Sequence, residues 1–443
     1  MKHEEKARGL FRSLKAQVDD AAVALSNTIV SHVKFTNNMI SIIKDWETTL
    51  LYVFIALNKS VVISTINDMT IDQWVLAKRF VTLAKVTAPN KEYYGIASGP
   101  FKYKRIKESY DKKVLALSTK LADITERGIQ AALSAGAKRV AGVLEVTNTE
   151  SILLTSGNVD TTEKGTELYF SIRAFADKDA SGHDIAVSRV MNKFNIEETA
   201  KKSARTAMMA KHPINGDIGK FDVVFAPLPF ANILEKVGSA ASIFNVEAGL
   251  SFFTNALNKR VAAPLVSIYD DGLLENGLHS SKCDAEGVPS KRTAIIEHGV
   301  LNSYLHNTST AKRYGTESTA NAGIIAPEPR NIVFQQGKDT PQKLIEQVNN
   351  GIYVTNVWYT RAQNLLTGDF STIPRDGIFY IKRGKVQHAI KNIRISDNML
   401  HILRNLYAIA NNKQQIRGWE VETPVTTPSV LVKDLNITRP LEM

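Results

Sequence analysis

The chain has 443 residues, 44% apolar and 22% charged, a composition that excludes a disordered polypeptide and exceeds one ordinary core, so two or three domains are expected. Its net charge of +11 is scattered, and the densest basic run (Lys102, Lys104, Arg105, Lys107, Lys112, Lys113) is broken by Glu108 and Asp111. With no zinc-finger or RNP pattern, the charge reads as a solvated surface and nucleic acid is not an expected partner.

In chain order, residues 4–18 have helical composition. Period-two stretches follow at 23–34, 39–45, 50–57 and 61–67, with turn chemistry at Asn37-Asn38 and Asn58-Lys59. Thr70, as N-cap, opens a helix that runs to about Lys85. The order then recurs. A long amphipathic helix over 111–136 carries Val114, Leu117, Leu121, Ile124 and Ile129 at helical spacing. Strands follow at 140–147, 151–156, 166–176 and 184–191, and a helix over 196–211 closes the copy. Helix, strand meander, helix, twice over, predicts a duplicated α+β unit in residues 1–212, with repeats of about 1–90 and 107–212.

A linker with Pro213, Asn215 and Gly216 leads to a mainly β domain over 220–443. Strands are expected at 222–225, 265–269 and 332–335, a short helix at 230–244, and a helix at 341–350 capped by Asp339 or Thr340. Hairpins are expected at 292–306 around His298-Gly299 and at 377–390 around Arg383-Gly384. So many hairpins in one block predict a sandwich or barrel. Their Ile and Val runs read as core; an exposed strand edge among them would suit backbone pairing with an extended peptide.

One cysteine, Cys283, leaves no internal disulfide, and the charged opening MKHEEKARGLFRSLK lacks the apolar stretch of a signal peptide. The most apolar run, 50–57, is far short of the ~20 residues of a membrane span and reads as a buried strand. A cytoplasmic protein without membrane contact is expected.

A series of motifs occupies the second half: Asp270-Asp271-Gly272, Asp284-Ala-Glu286-Gly287, Glu297-His-Gly299-Val-Leu301-x-x-Tyr304, Ser318-Thr-Ala-Asn321-Ala322, Gly351-Ile-Tyr353-Val and Thr367-Gly368-Asp369-Phe370-Ser371. In this order and spacing they resemble the TldD/PmbA family, peptidase U62, also named modulators of DNA gyrase, over roughly 220–440. One departure is Ala320, where the family usually has a glycine that would permit positive φ or close backbone approach.

Catalytic TldD-type members carry His-Glu-x-x-x-His after a strand and a cysteine near the C-terminus. Imidazoles and a thiolate bind zinc there, and the glutamate serves as base on metal-bound water. Here the matching stretch is Leu234-Glu235-Lys236-Val237-Gly238-Ser239, so Leu234 and Ser239 replace the ligand histidines while Glu235 matches the glutamate. No cysteine lies in 411–422, where the third ligand would fall. No metal and no catalytic residue is therefore expected in this chain. His279 and Cys283, four apart, form a weak alternative metal pair, short of the four ligands of a structural zinc site. Asp284 and Glu286 are a weak acid–base pair, because the glycine and proline after them favour a turn.

The resemblance thus implies a TldE/PmbA-type, non-catalytic subunit that pairs with a zinc-bearing TldD-type partner, or forms a homodimer, and acts on peptides or unfolded proteins. Candidate substrate-binding residues are Asp284, Glu286, Gly287, Ser318, Thr319 and Asn321. The alternative is a stand-alone homodimeric peptide- or ligand-binding protein without protease activity.

Overall fold

The computed structural model describes residues 3–323 and 326–439; the last positions assigned above to the β domain, 440–443, lie outside the described residues. The first half runs α1 (Glu4–Lys15), β1 (Asp20–Thr36), β2 (Met39–Leu57), β3 (Ser60–Ile66) and α2 (Gln73–Val86). Then come α3 (Lys112–Leu115), α4 (Leu121–Ser134), β4 (Arg139–Thr155), β5 (Val159–Phe175), β6 (Ser181–Ser188) and α5 (Ile196–Met209). The helix–meander–helix order does occur twice. The two meanders join through antiparallel β1 and β4 into one sheet, ordered β3-β2-β1-β4-β5-β6.

Side-chain alternation places both helix pairs on one face of this sheet. Val23, Leu25, Val53 and Leu154 pack with Leu10, Leu14 and Phe80 of α1 and α2. Val33, Leu144, Phe170 and Ile172 pack with Ile129 and Ala204 of α4 and α5. The other face, with Ala22, Thr149, Ser171 and Arg173, carries none of these four helices and lines clefts against the second half.

Several boundaries differ from expectation for definite reasons. Residues 39–57 are one strand, not two, because 46–49 stay extended and pair with β1 although 46–48 are exposed. Residues 148–150 likewise continue β4. Apolar periodicity reports which residues are covered, and polar strand residues away from the helices escape it. Asp72, not Thr70, caps α2, accepting the Trp74 and Val75 N–H groups, while Thr70 bonds to Asp68. The 111–136 helix is broken: i→i−3 bonds at Ala116, Leu117 and Lys120 tighten the chain between α3 and α4 and let Val114 and Leu121 enter the same core.

The second half runs β7 (Ile214–Asn215), β8 (Gly219–Phe225), α6 (Pro227–Ala240), α7 (Ile243–Glu247), β9 (Ile268–Asp271), β10 (Arg292–Glu297), β11 (Val300–Leu301), α8 (Thr308–Arg313) and β12 (Ile332–Phe334). It continues with α9 (Pro341–Glu346), capped by Thr340, then β13 (Asn350–Asn364), β14 (Asp369–Lys382), β15 (Lys385–Lys391), β16 (Arg394–Asn398), α10 (Met399–Arg404), β17 (Leu406–Ile409), β18 (Gln414–Gly418), β19 (Val421–Thr427) and β20 (Val430–Thr438). Strands β13-β8-β20-β16-β14 form a barrel closed by β14 pairing with β13, and a six-stranded sheet, β11-β10-β9-β12-β19-β18, lies beside it. The expected 230–244 helix is two helices, and its prolines lie inside the first turn of α6, where a missing N–H costs nothing. α6 packs against β12, β13 and β19 and is buried almost all round. No helix among the described residues is long and apolar enough to cross a membrane.

Candidate functional site

The family glutamate sits in the middle of α6. Glu235 is buried; its Oε1 accepts the backbone N–H groups of Glu422 (2.6 Å) and Thr423 (3.0 Å), and its Oε2 accepts from Lys236 Nζ (2.8 Å). Nearby, Asn232 Nδ2 donates to the Glu420 carbonyl at 2.9 Å. The motif helix is thereby held against the C-terminal segment where the resemblance puts the third ligand.

The two histidine positions diverge. In a regular helix residues five apart point about 140° from each other. Leu234 is fully buried in the core of the second half, whereas Ser239 is exposed and accepts Asn245 Nδ2 on its carbonyl (2.8 Å) and its Oγ (3.3 Å). A core leucine and a surface serine, beside a carboxylate already tied to the backbone, do not fit a zinc ion, which is held by imidazole, thiolate or carboxylate ligands. Among the described residues no three His, Cys, Asp or Glu are grouped to hold a metal. Cys283 is buried in its loop, whereas His279 is exposed. Burial, then Asp284, pushes the Cys283 thiol up to about 12. The thiolate a metal would need is disfavoured.

The other motifs meet in a separate node. Asp270 accepts Arg330 N–H (2.6 Å), Asn331 N–H (3.0 Å) and Asn321 Nδ2 (2.6 Å). Asp284 closes the expected turn by accepting Glu286 and Val288 N–H groups, and its second oxygen takes Ala322 N–H at 3.0 Å. The Thr319 hydroxyl exchanges two hydrogen bonds with the His306 backbone, Thr319 N–H donates a third to the His306 carbonyl, and Ser318 Oγ accepts Ala320 N–H. Gly287 has φ +87°, and a Cβ there would lie 2.4 Å from Val159 of β5, so this contact between the halves requires glycine. Ala320, at φ +60°, keeps a left-handed backbone without the family's glycine.

Of the six substrate candidates, Asp284, Gly287, Ser318 and Thr319 are thus engaged within the loop network. Glu286 and Asn321 line separate cavities. Glu286 borders a mainly apolar one of about 270 Å³ with Tyr52, Phe54 and Tyr93, and Asn321 borders a polar one of about 330 Å³ with Arg189 and Arg330. Burial raises the carboxyls of Asp270 and Asp284 to about 6, and burial plus ionised Asp284 raises Glu286 to about 7.

A third cavity, about 550 Å³, opens between the sheet face opposite those four helices and the second half. Tyr169, Ser171 and Arg173 of β5 form one wall; Asn356 and Trp358 of β13, Arg375 of β14, Trp419 and Asn232 form the other. Beneath it lies Asp376, which accepts Ser181 Oγ (2.6 Å) and Asn356 Nδ2 (2.8 Å) and is paired with Arg173 (2.9 Å) and Arg375 (3.2 Å). Burial works to raise this carboxyl, but Arg173, His183 and Arg375 bring it below the ordinary carboxylate range. Sequence reasoning missed the group because its members lie on four strands; the available signal was Asp376-Gly377 inside a strand run, which is a bulge with φ +53° and +100°.

Ser171 Oγ lies 2.9 Å from His183 Nε2 in this cleft, but the pair is not an activated nucleophile. Asn356 Nδ2, oriented by its bond to Asp376, donates to His183 Nδ1 (3.2 Å), so the ring proton resides on Nε2 and that nitrogen has no lone pair for the serine proton.

The profile of the PmbA/TldA metallopeptidase C-terminal domain matches residues 218–439, and that of the central domain matches residues 109–211. The chain belongs to the PmbA/TldD metallopeptidase family. An uncharacterized protein of Methanocaldococcus jannaschii is 28% identical over 345 residues, 75% of this chain and 78% of that one. The chain spans about half the length of the Buchnera TldD homologues it matches, which are named metalloproteases. A solved Thermotoga maritima protein described as a modulator of a DNA gyrase superposes with TM-score 0.89 at 22% identity, covering 99% of this chain and 100% of that one. TldE from Thermococcus kodakarensis superposes with TM-score 0.87 at 19% identity, covering 98% and 100%. These structures share the fold of this PmbA/TldD family member.

Proposed function

We propose that this chain is the TldE/PmbA-like subunit of a TldD/TldE-type metallopeptidase that degrades or matures peptides and unfolded proteins. In this reading a TldD-type partner carries the zinc and the catalytic residues, and this chain completes the substrate chamber. The observation that carries it is the motif helix: Leu234 is a core residue, and both oxygens of Glu235 are engaged, Oε1 by the Glu422 and Thr423 N–H groups and Oε2 by Lys236. The likeness to TldE and the matches to TldD homologues support a paired assembly.

The test is peptide hydrolysis with elemental analysis. The purified chain alone is expected to hold substoichiometric zinc and to leave an unstructured peptide intact, and addition of a TldD-type protein to produce chelator-sensitive cleavage. One tightly held zinc and chelator-sensitive cleavage by the chain alone would overturn the reading. A homodimeric peptide-binding protein without protease activity is the second reading, favoured by a cleft built from this chain's own residues; binding without any response to a TldD-type protein would select it.

A further inference from the structure

The proposal rests on the peptide-binding reading and concerns which part of a peptide the 550 Å³ cleft takes. Arg173 and Arg375 share a single carboxylate, Asp376, whose side chain is 1% exposed, while their own side chains are 31% and 32% exposed. Asp376 already receives Ser181 and Asn356 as well, so it cannot satisfy either guanidinium further. Among the described residues neither arginine has another acidic partner. His183, beside them, is neutral, and the remaining acid on the cleft wall, Glu420, is committed to Arg361 (3.7 Å) and to Thr360 N–H. One positive charge is left over, spread on two planar forks.

The surroundings narrow the occupant. Arg375 stacks near Trp358, 5.0 Å from the ring centroid, and Trp419, which lines the same cleft, is 87% exposed. On the same wall, Asn232 is 2% exposed, its Nδ2 is used by Glu420, and its Oδ1 has no partner among the described residues. The Nε of Arg173 is also without one. The site therefore offers guanidinium donors for a planar monoanion, an aromatic wall for an apolar group, and a free acceptor for an N–H. A phosphate dianion would overmatch the single charge and leave the apolar wall unused.

The geometry points to the C-terminal end of an extended peptide: its α-carboxylate on Arg173 and Arg375, an apolar or aromatic last side chain on Trp358 and Trp419, and a backbone N–H toward Asn232. Bidentate guanidinium–carboxylate recognition is strong and directional where water is partly excluded.

The test is calorimetry on the full-length chain with Gly-Ser-Gly-Ser-Gly-Ser-Phe as free acid and as C-terminal amide. The acid is expected to bind about tenfold or more tightly than the amide. Arg375→Gln should remove that difference, while Arg375→Lys keeps part of it; amidation alters only the peptide, so the comparison stands even if a variant folds poorly. Equal affinity of acid and amide would overturn carboxylate recognition and leave the peptide-binding reading intact. No binding of either peptide, with or without a TldD-type protein, would overturn both.

Discussion

Glu235 reaches from α6 to the start of β19, where its Oε1 accepts the backbone N–H of Glu422 at 2.6 Å. Together with Thr423 N–H and Lys236 it makes the family glutamate a tie between the motif helix and the second sheet. Removing a buried charged acceptor strands two backbone donors, at roughly 2–4 kcal/mol in total. Glu235→Ala is therefore expected to lower the unfolding free energy by that amount, read in urea as an earlier midpoint without a change in slope. A shift within about 0.5 kcal/mol would remove this structural role.

Restoring the family's histidines should not restore a metal site. Leu234→His places an imidazole in a fully buried apolar position, and Ser239→His places its partner on the surface about 140° away. The double variant is expected to lose about 3 kcal/mol of stability and to bind no stoichiometric zinc after desalting. One zinc per chain with unchanged stability would show that α6 can re-form around the metal.

The sequence was legible where chemistry repeats at short range. Val23, Leu25, Val53 and Phe170 announced the sheet, and the meanders recurred clearly enough to show a duplicated unit. Trp46 to Thr49 and Asn148 to Glu150 were not readable as strand, because they are held by pairing across β1 and β4 rather than by a covered face. The same limit hid the cleft. Arg173, His183, Asn356 and Asp376 come from β5, β6, β13 and β14, and only barrel closure and a bulge bring them together. Conversely, the motifs that were conspicuous, Asp270, Asp284 and Asn321, are largely loop architecture, because tight turns demand particular residues as strictly as a site does.

Ala320 offers a stability test at one atom's cost. It is buried, with φ +60°, a region where a Cβ costs roughly 1–2 kcal/mol and glycine fits without strain. Glycine also has the larger entropy to lose on folding, so the net gain of Ala320→Gly should be about 0.5–1 kcal/mol. Differential scanning calorimetry should show a raised melting temperature; a lowered one would mean that the Ala320 methyl is worth more in packing than its backbone costs.

The last prediction concerns pH and depends on opposing groups. Glu286 has its carboxyl raised to about 7, first by burial and then by ionised Asp284. A raised folded-state value means that the folded chain holds the proton more tightly; this contribution is present at low pH and is lost as pH rises from the ordinary glutamate range through about 7. Asp270 and Asp284, raised to about 6, act in the same direction. His183 and His306, each pushed down to about 4 mainly by burial, act oppositely: their contribution is present above the ordinary histidine range and is lost as pH falls toward 4. These opposed groups titrate over one window, so their contributions to the stability profile between pH 4 and 7 partly cancel. Glu286→Gln keeps an acceptor for Thr308 N–H while deleting one ionisation. The variant should match the parent near pH 4.5 and exceed it above pH 7, on the order of 2 kcal/mol. Denaturant titrations at pH 4.5, 6 and 8 would check this. A gain that is constant across pH would indicate repacking around Tyr93 and Phe54, and no gain at pH 8 would place the buried proton on another group of the cluster.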